Sequence, residues 1–238
     1  SGSFKTAHSG LLDVGMKLVD EDLPSALVGR VCIKRPYQNA GRSEVPRRKT
    51  EDCECRDILR EANTILWATT IHDMSMNMVT TTAPSRGHPP GPIPDLAFIE
   101  AAVVLNMKPE SVRPASFQGF TALVERKLSE QFKKYIGNTS PEPIPGLDAE
   151  AHAKAVFLCF LQHIQFHFSL GKVFVSDYQG AGPWLTDPQV MAKSETNGKT
   201  LFSDGNFDGS LEEFREKHQC LDWCQWFGLE RLSDSDSD

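Results

Sequence analysis

The chain has 238 residues, 39% hydrophobic and 24% charged, which is enough apolar content for a sizeable core and excludes a wholly disordered chain. No apolar run approaches the roughly 20 residues that span a bilayer; Ala155 to Leu161 is cut short by Gln162 and His163. The formal net charge of −7 argues against a general nucleic-acid binder, and it is concentrated, with 5 Lys/Arg against 13 Asp/Glu in residues 173–238.

No apolar h-region follows Ser1, so no signal peptide is expected in this segment, and a cytoplasmic location is inferred from absent signals alone. In a chain of this size without a secretory signal, Cys32, Cys53, Cys55, Cys159, Cys220 and Cys224 read as reduced thiols, some binding metal, rather than as a disulfide framework.

In chain order, Val28 to Lys34 reads as a strand, with Val31 and Ile33 supplying apolar side chains. Arg56 to Met78 reads as a helix: Ile58, Leu59, Ala62, Ile65, Leu66, Thr69 and His72 recur at helical spacing on one face. Ala83 to Pro94 is rich in proline and glycine and should break regular structure, as should Gly137 to Gly146. Leu96 to Leu105 is a short apolar run containing Glu100. Phe117 to Tyr135 reads as amphipathic at helical period, with Phe120, Leu123, Val124, Leu128 and Phe132 in one stripe.

Asp148 to about His163 reads as an apolar helix with Asp148 as N-cap. Phe166 to Ser169 and Lys172 to Asp177 then read as a hairpin turning at Leu170-Gly171. Ser210 to His218 reads as a final helix, with Ser210 and Glu213 at capping-box spacing. The tail Ser233 to Asp238 is low-complexity and expected to be disordered. The pattern is α+β or two-layer α/β, with a join between two lobes near residues 83–110.

Several constellations could carry chemistry. His218, Cys220 and Cys224 place three zinc-type ligands within seven residues. A fourth must come from elsewhere, and spacing alone offers His163, His167, Cys159, Cys53 or Cys55. The bland alternative is two buried thiols and a surface histidine. Ser176-Asp177-Tyr178-Gln179-Gly180 ends an apolar strand, where alternation points Asp177 and Gln179 the same way. A carboxylate and an amide oxygen there suit Mg²⁺, although a strand end passing into a polar turn is commoner. Asp187, held before Pro188, could serve as a base or a second metal group. Lys34 ends an apolar strand and could pair with phosphate oxygens, with Glu61 as a conjectural partner. Phe202 to Gly209 is a small-residue loop leading into the last helix and a weak phosphate loop.

In this order the pieces resemble the atypical alpha-kinases, a family that includes myosin heavy-chain, elongation-factor and channel-fused kinases; the chain looks most like short fungal members. The resemblance is specific from His163 to Cys224 and weaker over residues 1–138. It implies a two-lobed α+β catalytic domain over residues 1–232, with lobes at about 1–98 and 101–232 and a structural zinc site in the second. It implies an ATP-dependent serine/threonine protein kinase. Asp187 stands at the position of the family's catalytic aspartate. Asp177 and Gln179 stand where Mg²⁺ on the ATP phosphates is held, Lys34 at the nucleotide-binding lysine, and Glu100 at the linker glutamate. His163, His218, Cys220 and Cys224 match the structural zinc ligands. Lys134, Tyr135 and Asn138 resemble the stretch near the cleft.

The expected partners are ATP and a protein bearing a Ser/Thr acceptor, with no nucleic acid and no membrane. The family's glycine-rich loop is altered, Ser203 standing for its first glycine and Asp208 for its last. A nucleotide-binding pseudokinase or a zinc-stabilised interaction module are the competing readings. A zinc hydrolase is disfavoured, because four protein ligands leave no open position for water.

Overall fold

The structure, a computed structural model, describes residues 5–12, 29–38, 47–106, 119–193, 202, 206 and 209–232. Two compact units emerge: residues 1–63 with 99–127, and residues 64–98 with 128–238. The strands within 99–127 therefore join the first unit, whereas the expected lobe boundary near residue 100 assigns them to the second. The reason is strand pairing, which overrides chain proximity.

The first unit is an antiparallel sheet. Strands β1 (Lys5–Leu12), β2 (Gly29–Gln38), β6 (Phe120–Arg126) and β5 (Ala101–Asn106) lie in that order, and β3 (Arg47–Arg48) pairs with β2. The strand expected at Val28–Lys34 is present from Gly29 and continues to Gln38, Val28 lying outside the described residues. The amphipathic helix expected over Phe117–Tyr135 is not formed. Phe120–Arg126 is instead an interior strand, paired on both edges, with Thr121 to Glu125 all buried. A strand buried on both faces gives a continuous apolar run, which periodicity cannot tell from a buried helix; Phe132, on the expected stripe, is 53% exposed.

Helix α1 (Glu51–Arg86) begins in this unit and extends past both expected ends. Its first turn carries Glu51, Asp52 and Glu54, which suit the positive end of the helix dipole. Glu51 Oε1 accepts from Gly119 N at 2.7 Å, and a Cβ at Gly119 would stand 2.9 Å from Asn106 O, so only glycine fits this approach. Glu54 is fully buried and accepts from Arg35 Nε at 2.9 Å, Arg35 Nη2 at 2.7 Å, Arg48 Nη2 at 3.1 Å and Thr121 N at 3.0 Å. The buried line of α1 runs Glu54, Ile58, Glu61, Ile65, Ala68, His72, Ser75, Val79. Leu59 and Leu66, placed on the apolar face from sequence, are exposed, because half of the inward positions are polar groups satisfied by partners. Pro84 sits near the end of α1, where its missing N–H forfeits only one ladder bond, so the expected break begins after Arg86 rather than at Ala83.

The second unit holds the rest of α1, helix α2 (Ala149–Phe168), and a sheet of order β4 (Ala97–Phe98), β10 (Trp184–Thr186), β9 (Gln179–Ala181), β7 (Lys133–Lys134). A separate pair joins β8 (Val173–Ser176) to β11 (Gln189–Ala192). Two short helices close the described chain, α3 (Ser210–Lys217) and α4 (Asp222–Phe227). Asp148 caps α2 as expected, its Oδ1 accepting from Ala151 N at 2.9 Å. Phe166 to Phe168 belong to α2 rather than to a hairpin strand, and β8 pairs with β11 instead. Phe166 is buried against Phe214 and Phe174, which keeps the helix going for another turn. Ser210 is the first residue of α3, not its cap; Gly209 caps it at φ 86°, and Glu213 pairs with Lys217.

The core of this unit gathers Phe157, Phe160 and Leu161 of α2 with Trp223 and Phe227 of α4. Phe160 stacks on Trp223 with centroids 5.7 Å apart. Among the described residues no helix is long and apolar enough to cross a membrane.

Candidate functional site

The second unit contains a strand crossing with unusual backbone. Ser176 pairs with Gln189 at one end of it, and Gln179 pairs with Thr186 at the other. Between these two ladders lie Asp177-Tyr178, which link β8 to β9, and Asp187-Pro188, which link β10 to β11. Asp177 has φ 57° and Asp187 has φ 55°, both in the left-handed region. Non-glycine residues rarely adopt it, aspartate more readily than most, and such positions cluster at functional sites. Gly180 is fixed by the same packing: a Cβ there would meet Trp184 O at 1.9 Å.

Burial alternates through the turn. Ser176, Tyr178 and Gly180 are buried, while Asp177 and Gln179 are half-buried and present polar groups. Gln179 Nε2 donates to Asp177 Oδ2 and to Asp187 O, both at 3.2 Å. Lys134 Nζ lies 2.5 Å from Asp177 Oδ1, delivered by the pairing of Lys134 with Gln179 between β7 and β9. The structure thus brings together Asp177, Gln179, Asp187 and Lys134. Asp177 does not lie in a strand, as the sequence alternation supposes, yet it ends beside Gln179 because of its left-handed turn. Asp177 and Gln179 together supply carboxylate and carboxamide oxygens, the donor class that hard divalent cations take.

Lys34 and Glu100 lie in the first unit. Lys34 is buried on β2 and forms an ion pair with Glu125 on β6, Nζ to Oε2 at 2.8 Å. Glu61, the conjectured partner, forms an ion pair with Lys5 at 2.6 Å. Glu100 is exposed between β4 and β5. Glu125 is not singled out by a helical reading of its run; the signal for it is a carboxylate directly after the apolar Ala122–Val124 stretch. Asn138 is exposed, and Tyr135 is buried with its N–H donating to Tyr178 O. Ser203 and Asp208 lie outside the described residues.

A second cluster joins α2 to the chain end. Ligand atoms of His163, His218, Cys220 and Cys224 all lie within 4.8 Å of one another. His163 Nδ1 is 3.5 Å from Cys224 Sγ and 3.6 Å from Cys220 Sγ, and His218 Nε2 is 3.6 Å from Cys224 Sγ. A tetrahedral ion with metal–sulfur bonds of about 2.3 Å and metal–nitrogen bonds of about 2.0–2.1 Å sets nitrogen and sulfur about 3.5 Å apart. Three of the nitrogen–sulfur separations therefore match the edges of a four-ligand site.

Cys220 precedes α4 and Cys224 lies within it, so the two thiols are gathered across the helix entry at Leu221, which is extended, rather than by one helical face. His167, on the same helix as His163, is exposed and takes no part. Burial lowers His163 to about 3 and His218 to about 4, and raises Cys224 to about 12, with neighbouring Cys220 adding to the last. These groups are thus held as neutral imidazoles and thiols, and a cation among them reverses the balance by favouring thiolate.

The chain is similar to known proteins over most of its length. A model of the Alpha-kinase family matches residues 28–224. The rat Transient receptor potential cation channel subfamily M member 7 is 31% identical over 115 residues, 48% of this chain and 6% of that protein. Zebrafish Alpha-protein kinase 2 is 24% identical over 225 residues, 90% of this chain and 10% of that protein. The chain thus spans a small fraction of the length of these relatives. Among solved structures, the alpha-kinase domain of Myosin-II Heavy Chain Kinase A in complex with AMP-PNP superposes with a TM-score of 0.64 at 16% identity, covering 97% of this chain and 85% of that one. The family match runs from the first described sheet through the last cysteine of the metal-type cluster, and the chain belongs to the alpha-kinase family.

Proposed function

We propose that the chain is an ATP-dependent serine/threonine protein kinase of the alpha type, transferring the γ-phosphate to a protein hydroxyl. The observation that carries the reading is the pair of left-handed aspartates, Asp177 and Asp187, linked through Gln179. Phosphoryl transfer needs positioned groups and charge compensation more than covalent chemistry. Asp187 aligns the acceptor hydroxyl and takes its proton. Asp177 and Gln179 hold Mg²⁺, which when bound neutralises charge on the transferring phosphate. Lys134, already beside Asp177, adds a positive charge on the same side. Lys34, kept in place by Glu125, and Glu100 serve the nucleotide. The likeness of the fold to kinase domains solved with ADP and AMP-PNP supports nucleotide binding.

His163, His218, Cys220 and Cys224 hold a structural Zn²⁺. All four positions would be filled by protein, so the ion pins α4 to α2 and has no open position for catalysis.

The experiment is phosphate transfer from labelled ATP with Mg²⁺ to a basic test protein and to the chain itself, beside Asp187→Ala. Transfer by the wild type and none by the variant supports the reading. No transfer by either, in a zinc-loaded folded sample, overturns it in favour of a pseudokinase.

A further inference from the structure

Tyr178 stands between Asp177 and Gln179, and its side chain runs the opposite way, into the core, with none of its surface exposed. Its ring stacks on Phe98 with centroids 5.9 Å apart and tilts against His72. Its hydroxyl sits in a chain of hydrogen bonds whose direction can be worked out. Val175 N donates to Gln165 Oε1 at 2.8 Å, which fixes that amide so that Gln165 Nε2 donates to Tyr178 Oη at 3.1 Å. The carbonyl of Leu96 can only accept, so His72 Nε2, 2.9 Å away, carries the proton. In the neutral ring His72 Nδ1 is then an acceptor, and the Tyr178 hydroxyl, 3.5 Å away, donates to it. Burial holds His72 in that neutral form.

The same residue works through its backbone. Tyr178 O accepts from Tyr135 N at 2.8 Å and from Ile136 N at 3.2 Å, beside the strand that brings Lys134 to Asp177. A phenylalanine would fill this core volume equally well. The hydroxyl adds hydrogen bonds to His72 on α1 and to Gln165 on α2.

We propose that Tyr178, through its hydroxyl bonds to His72 and Gln165, is a positioning residue that sets Asp177 and Gln179 for the magnesium nucleotide. The inference rests on the kinase reading. Its test compares wild type, Tyr178→Phe and His72→Phe by the ATP-dependent rise in melting temperature along a Mg²⁺ titration, with transfer rates beside it. Tyr178→Phe should need more Mg²⁺ than wild type for half its rise, because the turn that carries Asp177 and Gln179 loses one of its anchors. Its response to ATP without Mg²⁺ should match wild type, and kcat should fall while KM for the protein substrate holds. A Tyr178→Phe protein that melts lower but follows the wild-type Mg²⁺ titration would show a merely structural hydroxyl and overturn the proposal. Should Tyr178→Phe be insoluble, His72→Phe, which keeps the ring contact with Phe98 and removes the acceptor, is judged by the same criterion. A wild type with no Mg²⁺-dependent response to ATP defeats the kinase reading itself, and the positioning role falls with it.

Discussion

Asp177 and Asp187 turn the links between β8 and β9 and between β10 and β11, at φ 57° and 55°, and Gln179 bonds the side chain of the first and the main chain of the second. Each left-handed residue costs on the order of 1–3 kcal/mol, which the surrounding ladders must offset. The strain and the chemistry can be separated by substitution. Asparagine tolerates this backbone region nearly as well as aspartate, whereas alanine does not. Asp187→Asn should therefore melt close to wild type while transfer falls by about 10²- to 10⁴-fold, the range for loss of a general base. Asp187→Ala should lose transfer similarly and also melt lower. Equal transfer by Asp187→Asn and wild type would remove Asp187 from the chemistry.

The metal-type cluster makes a prediction independent of catalysis. The purified chain should carry one zinc per molecule by elemental analysis, and strong chelators should lower its melting temperature. Cys224→Ala should lose the metal and destabilise the packing of Trp223 and Phe227 on α2, because binding free energy at such a site is folding free energy. A zinc-free Cys224→Ala protein with wild-type melting and activity would refute a structural role.

How much of this was legible beforehand depended on whether a signal was local. The N-cap at Asp148, the strand around Val31 and Ile33, and the metal-ligand types at His218, Cys220 and Cys224 are read from neighbours within a few residues. Glu125 is different. Its significance needs β6 to lie between β2 and β5, a pairing across 90 residues that no local pattern encodes. His72 was placed correctly on the inner face of α1, but its partners Leu96 and Tyr178 are remote in sequence. Leu59 and Leu66 mislead for the converse reason: the inward line of α1 includes Glu54 and Glu61, buried because cations from other segments meet them.

Glu54 illustrates how such a polar interior reacts to loss. Its side chain is 1% exposed and takes charge from Arg35 and Arg48, which are 23% and 38% exposed. Removing the carboxylate leaves the buried Thr121 N–H without its acceptor and takes from Arg35 and Arg48 the anion they share, while Arg48 Nη2 keeps its bond to Gly119 O at 2.9 Å. Breaking a buried pair costs about 3–5 kcal/mol. The arginines can regain water, so Glu54→Ala should lie near the lower end, at about 3 kcal/mol. Chemical denaturation measures this directly, and a change within error of zero would mean the network is replaceable.

His72 supplies a pH dependence with a definite sign. Burial lowers its pKa below the ordinary value of 6.5, against weaker opposing effects of its bond to Leu96 O and of Asp73. The unfolded chain therefore binds a proton more readily than the folded one. Stability from this residue is complete above about pH 6.5 and drains away as pH falls below it toward the lowered folded value. Other buried histidines titrate too, so the informative quantity is a difference. Between pH 7 and pH 5, wild type should lose more melting temperature than His72→Phe, which keeps an aromatic ring beside Phe98 but cannot take up the proton. Parallel curves would mean that His72 takes up its proton alike in the folded and unfolded chain, so that the fold does not hold the ring neutral.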